Sequence, residues 1–140
     1  MVNTKIYKSV YMLAEELLEA NNRRNQEAFD ALYVDLQAIC TDNENTDKDH
    51  PVQWETLADF TEELDEAVVI YEKALKKAIA INSKDFMSSI AFSMAVLQVE
   101  LGQTDAAVIN LQNAKISANK IEDKELKNEI HDLLVELTAE

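Results

Sequence analysis

Residues 101–117 read LGQTDAAVINLQNAKIS and contain the only glycine of the chain, Gly102. Upstream of it Phe86, Ile90, Ala91, Met94, Leu97 and Leu101 recur at helical spacing, with Asn82 or Ser83 placed to cap that helix. Glycine adopts a left-handed backbone without a Cβ penalty, so Gly102 is suited to end the helix. Thr104 is then the expected cap of the next one, which turns Ala107, Val108, Leu111, Ala114 and Ala118 inward. Two helices joined by a turn this short fold back on each other.

The rest of the chain carries the same signal. Leu57, Phe60, Leu64, Ala67, Tyr71, Ala74, Ala78 and Ile81 follow one another at steps of 3, 4, 3, 4, 3, 4 and 3 with no glycine or proline among them. This spacing predicts one helix from Val52 to Ile81, about 45 Å long at 1.5 Å per residue, with a break near Thr61 as the competing reading. Before it, Thr41 to His50 (TDNENTDKDH) has no apolar residue and is followed by Pro51, which predicts an exposed, flexible acidic loop ahead of a helix start. Ile6, Val10, Leu13, Ala14, Leu17 and Leu18 mark a first helix capped by Asn3 or Thr4. After the polar run Asn21 to Asn25, the stripe Ala28, Phe29, Leu32, Leu36 and Ile39 marks a second helix ending near Cys40. Leu126, Ile130, Leu133, Leu134 and Leu137 mark a last helix.

Composition narrows the class. The 140 residues, 47% hydrophobic, suit one domain with its own core. One glycine and one proline stand where average usage would give roughly ten and seven, which argues against hairpin-rich β folds and glycine-cradled phosphate sites. Thirteen basic residues against 27 acidic ones leave a net charge of −14, a sign that repels nucleic-acid backbones and anionic membrane surfaces. A single cysteine forms no internal disulfide and builds neither a zinc cage nor an iron–sulfur cluster. Met1 to Tyr11 lacks the pattern of a secretory signal, and no apolar run approaches 18 residues. The expectation is a cytoplasmic protein with no membrane and no direct nucleic-acid contact.

Gly102, Asp105, Ala107 and Ala114 in LGQTDAAVINLQNAKIS resemble the second half of a tetratricopeptide repeat, in which a glycine ends the first helix of a pair and two alanines seven apart admit a close neighbour. Counting back, Met94-Ala95 takes the place of the family's Leu-Gly or Leu-Ala pair, giving a 34-residue unit from Ser88 to Ile121. Ala91, Gln98, Leu111 and Asn119 stand where the family commonly has Trp, Tyr, an aromatic and Pro. DEAVVIYEKAL, residues 65–75, is similar to the second helix of another repeat, and Trp54, Leu57 and Ala58 resemble the start of its partner. Trp54 and Ala67 are 13 residues apart, three fewer than the family pattern, which suggests that the turn between the two helices is missing and the helices are fused. The resemblance covers about half of the chain and implies an all-α fold of about six helices, antiparallel pairs forming a short right-handed superhelix. Residues 1–40 would form an amino-terminal hairpin, 41–51 the acidic loop, 52–121 the repeat region and 122–140 a helix capping the exposed hydrophobic end. An unrelated helical bundle would use the same small residues.

Motifs for chemistry are lacking. His131 is preceded three residues earlier by Asn128, so no Glu-x-x-His di-iron pattern exists. Counted as a calcium loop from Asp42, the chain has Asp47 in place of the turn glycine and Gln53 in place of the closing glutamate. Cys40 ends an amphipathic helix with no basic neighbour and reads as a packed thiol. No Walker, Gly-x-Ser-x-Gly or His-Glu-x-x-His pattern occurs. The expectation is a non-enzyme with no catalytic residue, metal site or cofactor.

Two surfaces remain as binding candidates. Asp42 to Glu66 holds ten acidic residues and one lysine, −9 of the total −14. Glu55, Asp59, Glu62, Glu63 and Glu66 could dock a basic partner, while Lys73, Lys76 and Lys77 follow them, an order that also simply complements a helix dipole. The resemblance implies that Ser89, Phe92, Ser93, Val96, Val99 and Glu100 line a concave groove. No Lys, Arg or Asn stands among these six, so a hydrophobic groove for an extended peptide or helix is expected rather than a clamp for a terminal carboxylate. The alternative is that Phe92 and Val96 are covered by the first, second or last helix. The function expected is a protein-interaction module, an adaptor, scaffold or small chaperone holding a partner protein or peptide. An acidic inhibitor or nucleic-acid mimic is the other reading, and homodimerisation is open.

Overall fold

The side chain of Asn3 accepts a hydrogen bond from the Ile6 N–H at 3.1 Å and opens α1 (Thr4–Asn22). The computed structural model describes residues 3–139, and the chain over them is all helical. Arg24 takes a left-handed backbone (φ 56°), and the Asn25 side chain caps α2 (Gln26–Asn43) through the Ala28 N–H. His50 caps α3 (Pro51–Asp59), in which Pro51 takes the first helical position, where a missing N–H costs nothing. Then come α4 (Leu64–Ala80), α5 (Lys84–Glu100), α6 (Thr104–Ala118) and α7 (Lys124–Thr138). Gly102 is left-handed (φ 76°), as its position suggested. The cap of α6 differs from the expectation: Thr104 is its first helical residue, and Gln103 precedes it without a side-chain cap.

The single helix over 52–81 is not formed. The chain leaves α3 at Phe60 and enters α4 at Leu64, which makes seven helices among the described residues instead of about six. The break is local chemistry. The Thr61 hydroxyl bonds the Leu57 carbonyl at 2.7 Å and lies 2.6 Å from the Tyr33 hydroxyl of α2, while Phe60 turns onto Phe29 with ring centroids 6.4 Å apart. A continuous helix would also stack Asp59, Glu62, Glu63 and Glu66 at i, i+3 and i+4, which like charges oppose. The break places Asp65 and Glu66 in the first turn of α4 instead, where the helix dipole favours them. The regular spacing carries through because each helix buries its own stripe: Trp54, Leu57 and Ala58 on one, Ala67, Tyr71, Ala74 and Ala78 on the other. The three residues short of the family pattern do not remove the turn. They accompany an α3 of only nine residues.

Consecutive helices pack on each other along the chain, and α1 touches α3, α3 touches α5, and α5 touches α7. The even-numbered helices α2, α4 and α6 make no contact with one another. One core gathers Leu17, Leu36, Cys40, Trp54, Ala74, Ile90 and Met94. A second, richer in alanine, gathers Ala91, Ala95, Ala107, Leu111, Ala114 and Ile130, the last supplied by α7. Each fully buried large aliphatic in them is worth about 1.5–3 kcal/mol against water. Among the described residues no helix is long and apolar enough to cross a membrane.

Candidate functional site

Glu55 and Asp59 lie one turn apart on α3, and Ser89 and Ser93 one turn apart on α5, so each pair projects from one helix face. The two faces meet. The Ser89 hydroxyl donates to Glu55 Oε2 at 2.7 Å, and the Tyr71 phenol of α4 donates to Asp59 Oδ1, with Ser93 beside the same phenol. Residues predicted as two separate surfaces, acidic and groove-lining, therefore form one strip across α3, α4 and α5. Phe92 and Val99 pack against the second core, which α7 joins, and both remain half-buried. Val96 is half-buried and Glu100 exposed at the end of α5.

Among the described residues neither Glu55 nor Asp59 forms an ion pair, and burial governs the proton affinities of the strip. Burial pushes the Glu55 carboxyl up to about 7; the Ser89 bond offsets part of the shift and the charge of Asp59 adds to it. Asp59 keeps surface exposure, but its carboxyl end, turned onto Tyr71, is shielded from water and raised in turn, with the phenol bond working against that rise. Burial and then the neighbouring Asp59 charge hold the Tyr71 phenol above its ordinary range. The arrangement accepts hydrogen bonds and protons near neutral pH.

The other predicted acids are placed differently. Glu62, Glu63 and Glu66, joined by Asp30 of α2, rim a cavity of about 210 Å³ whose walls are Phe29, Tyr33, Phe60 and Thr61. Gln26 Nε2 donates to both Asp30 (2.7 Å) and Glu62 (3.0 Å).

The acidic loop is not a free segment. Asp49 takes Lys77 Nζ at 2.6 Å, Trp54 Nε1 at 2.8 Å and the Asn45 N–H at 2.8 Å. Burial alone would raise its carboxyl, but these three donors and the charge of Lys77 outweigh it and hold it below the usual range. Glu44 pairs with Lys73 at 2.8 Å, and Lys73 and Lys77 sit 4.5 and 5.2 Å from the Trp54 ring centroid. Cys40 is fully buried and its thiol donates to the Gln53 carbonyl at 3.2 Å. Burial first, then the charges of Asp49 and Glu44, push that thiol up to about 12, so it carries no thiolate at neutral pH. Among the described residues no three His, Cys, Asp or Glu side chains gather to hold a metal ion.

Sequence reading passed over Tyr71 as a site residue, along with the Phe29, Tyr33 and Phe60 walls and the Trp54–Asp49–Lys77 cluster. Tyr71 stood out only as a member of the apolar stripe and of the repeat-like stretch 65–75. Its bond to Asp59 depends on the break at Phe60, which folds α4 back along α3. Compared with known proteins, the chain matches no family model, and no curated protein or solved structure is detectably similar to it.

Proposed function

We propose that this chain is a non-catalytic interaction module, a tetratricopeptide-like stack of helical pairs that holds a partner protein or peptide as a cytoplasmic adaptor, scaffold or small chaperone. The observation that carries the reading is the strip itself: Glu55, Asp59, Ser89 and Ser93 converge from α3 and α5 next to half-buried Phe92 and Val96. A surface of hydrogen-bond acceptors beside apolar side chains suits a peptide that offers N–H or cationic donors along with one or two apolar anchors. The touching of α1 with α3, α3 with α5 and α5 with α7 is the order that stacked hairpins require, and it supports the repeat reading alongside Gly102, Ala107 and Ala114. The net charge of −14 favours a basic partner over nucleic acid or an anionic membrane.

The test is affinity capture from source-cell extract with wild type, Phe92→Glu and the double variant Glu55→Gln/Asp59→Asn, with circular dichroism confirming each fold. A defined protein should be held by wild type and released by Phe92→Glu. Capture that is unchanged in both variants, or no specific protein at all, sinks the reading.

A second reading has its own observation. Glu62, Glu63 and Glu66 ring an aromatic-walled cavity, a setting that suits the cationic side chain of a basic partner, as an acidic inhibitor or nucleic-acid mimic would require. Glu62→Lys/Glu66→Lys releasing the captured protein, with Phe92→Glu retaining it, would select this reading.

A further inference from the structure

The break at Phe60 builds a cavity that the α3–α5 strip does not use. On α2, Phe29 and Tyr33 stand one turn apart and so share a face. The connection from α3 to α4 packs onto that face through the Phe29–Phe60 and Tyr33–Thr61 contacts. Because α2 and α4 do not touch, a cavity of about 210 Å³ stays open there. Its apolar wall is aromatic: the Phe29 and Phe60 rings have centroids 6.4 Å apart and are tilted by 60°, with Tyr33 beside them.

Hydrogen bonding leaves the polar side chains of the lining with nothing to donate. The Thr61 hydroxyl gives its proton to the Leu57 carbonyl at 2.7 Å, so across the 2.6 Å contact with Tyr33 the phenol is the donor. Both hydroxyl protons are then spent, while the phenol oxygen keeps its lone pairs. Asp30, Glu62, Glu63 and Glu66 present carboxylate oxygens, which only accept. Gln26 Nε2 spends its two protons on one oxygen of Asp30 and one of Glu62, and the second oxygen of each stays open. Among the described residues none of these four carboxylates forms an ion pair, whereas Glu44 and Asp49 have Lys73 and Lys77. The dipole at the start of α4 offsets part of the repulsion between Glu63 and Glu66, but among the described residues no lysine or arginine lines the cavity.

An occupant that satisfies this lining brings donors, positive charge and an apolar stem together. Charge then selects among cations. A single ammonium group cancels one of the four carboxylate charges, and a metal ion leaves the aromatic wall unused. A linear alkyl polyamine is protonated at several nitrogens at neutral pH, because alkylamines titrate near pH 10. Its methylenes can lie on the rings while its ammonium groups meet the carboxylates. We propose that the cavity binds a linear alkyl polyamine, with its aliphatic stem on the aromatic wall and its ammonium groups on the carboxylate rim. This is the cavity on which the acidic-inhibitor reading draws, but the occupant is a free small molecule in place of a partner's side chain, and the α3–α5 strip takes no part.

Isothermal titration calorimetry of the full chain at physiological salt tests it with spermidine, which carries about three charges at neutral pH. Two further probes each lack part of that chemistry: Mg²⁺ has charge without a stem, and N-acetyl-lysine methylamide has a stem with one ammonium group. Spermidine should bind one to one with a Kd on the order of 10–100 µM, and at least about tenfold more tightly than either other probe. Glu62 and Glu66 are exposed, so Glu62→Gln/Glu66→Gln should keep the fold, as circular dichroism checks, and weaken spermidine at least about tenfold. Glu129→Gln/Glu136→Gln makes the same charge change at exposed positions of α7 and should weaken it less than about twofold. Tyr33→Leu should weaken it about two- to fivefold through the lost ring face. Equal weakening by the α7 pair means that spermidine answers only the net charge, and overturns the proposal. Absence of saturable binding, or Mg²⁺ binding as tightly as spermidine, overturns it as well. The lysine compound binding as tightly as spermidine also overturns it, and returns the cavity to the side chain of a basic partner.

Discussion

The α3–α4 and α5–α6 hairpins place alanines at matching positions, Ala67 and Ala74 in one and Ala107 and Ala114 in the other, all essentially inaccessible, yet they hold their helices by different means. The α3–α4 pair is laced by polar side chains. Tyr71 reaches Asp59 across the pair, and Lys77 reaches Asp49 beneath the Trp54 ring. The α5–α6 pair has no ion pair among the described residues and one cross-helix side-chain bond, Asn110 Nδ2 to Gln98 at 2.7 Å. Its contact rests on Ala91, Ala95, Ala107, Ala114 and Leu111, small residues that let two backbones approach and gain dispersion over a long seam. A nine-residue α3 offers too short a seam for that solution alone, so a large ring and directed bonds do more of the holding. Polar groups placed for structure are also what a partner can engage, and the candidate strip lies on the laced hairpin and its border with α5.

Trp54→Ala should show the largest effect, because the ring is 4% exposed and its loss leaves Lys73, Lys77 and Asp49 around a void. A destabilisation of about 3–5 kcal/mol is expected, measured by urea unfolding followed by circular dichroism, since the only tryptophan is gone. Trp54→Phe keeps much of the packing and the cation–π face but loses the bond to Asp49, and should cost only about 1 kcal/mol. If the two variants unfold alike, the directed bond and not the ring holds α3–α4.

Ala107→Leu probes the other hairpin. With Ala107 at 0% exposure, three added carbons must push α5 and α6 apart, for about 1–3 kcal/mol in thermal or urea unfolding. A change below about 0.5 kcal/mol, the usual range for surface sites, would mean that the seam is loose and that the contrast between the hairpins fails.

Legibility in the sequence follows the same division. Helices that bury an unbroken stripe between clear punctuation were readable: Gly102 and Asn25 marked turns that exist, Asn3 and Ser83 serve as caps, and Ala107 and Ala114 are inaccessible as read. The break at Phe60 was not decidable. Its signals are a Thr61 hydroxyl that must find Tyr33 28 residues earlier and a phenylalanine that must find Phe29, while the apolar spacing continues across it without a gap. The same non-locality hid the site. Glu55 and Ser89 are 34 residues apart, and nothing in spacing alone tells a carboxylate facing a serine from one facing water. The acidic run read as an open loop because its charges were visible and their cations, Lys73 and Lys77, stood on another element.

The effect that separates the hairpins most cleanly is the one that depends on pH. Glu55 has an ordinary carboxyl value near 4.5 when unfolded and about 7 when folded. Between these values the folded chain keeps a proton that the unfolded chain releases, so stability falls as pH rises from about 4.5 through 7 and levels off above. Glu55→Gln removes that slope, and the difference between wild type and variant should grow to on the order of 1–3 kcal/mol by pH 8. Asp49 works in the opposite sense, its contribution being lost only as pH falls below the ordinary aspartate range near 3.8, outside this window. Urea unfolding at pH 5, 6, 7 and 8, followed by Trp54 fluorescence, checks it, and subtracting variant from wild type cancels most of the self-repulsion of the acidic chain. Ser89→Ala should steepen the wild-type slope, since the hydroxyl stabilises the ionised form. Ala107→Leu should shift the whole curve without changing its slope, because α5–α6 holds no carboxylate in its seam. Identical slopes in wild type and Glu55→Gln would place the Glu55 carboxyl in water and dissolve the strip that joins α3 to α5.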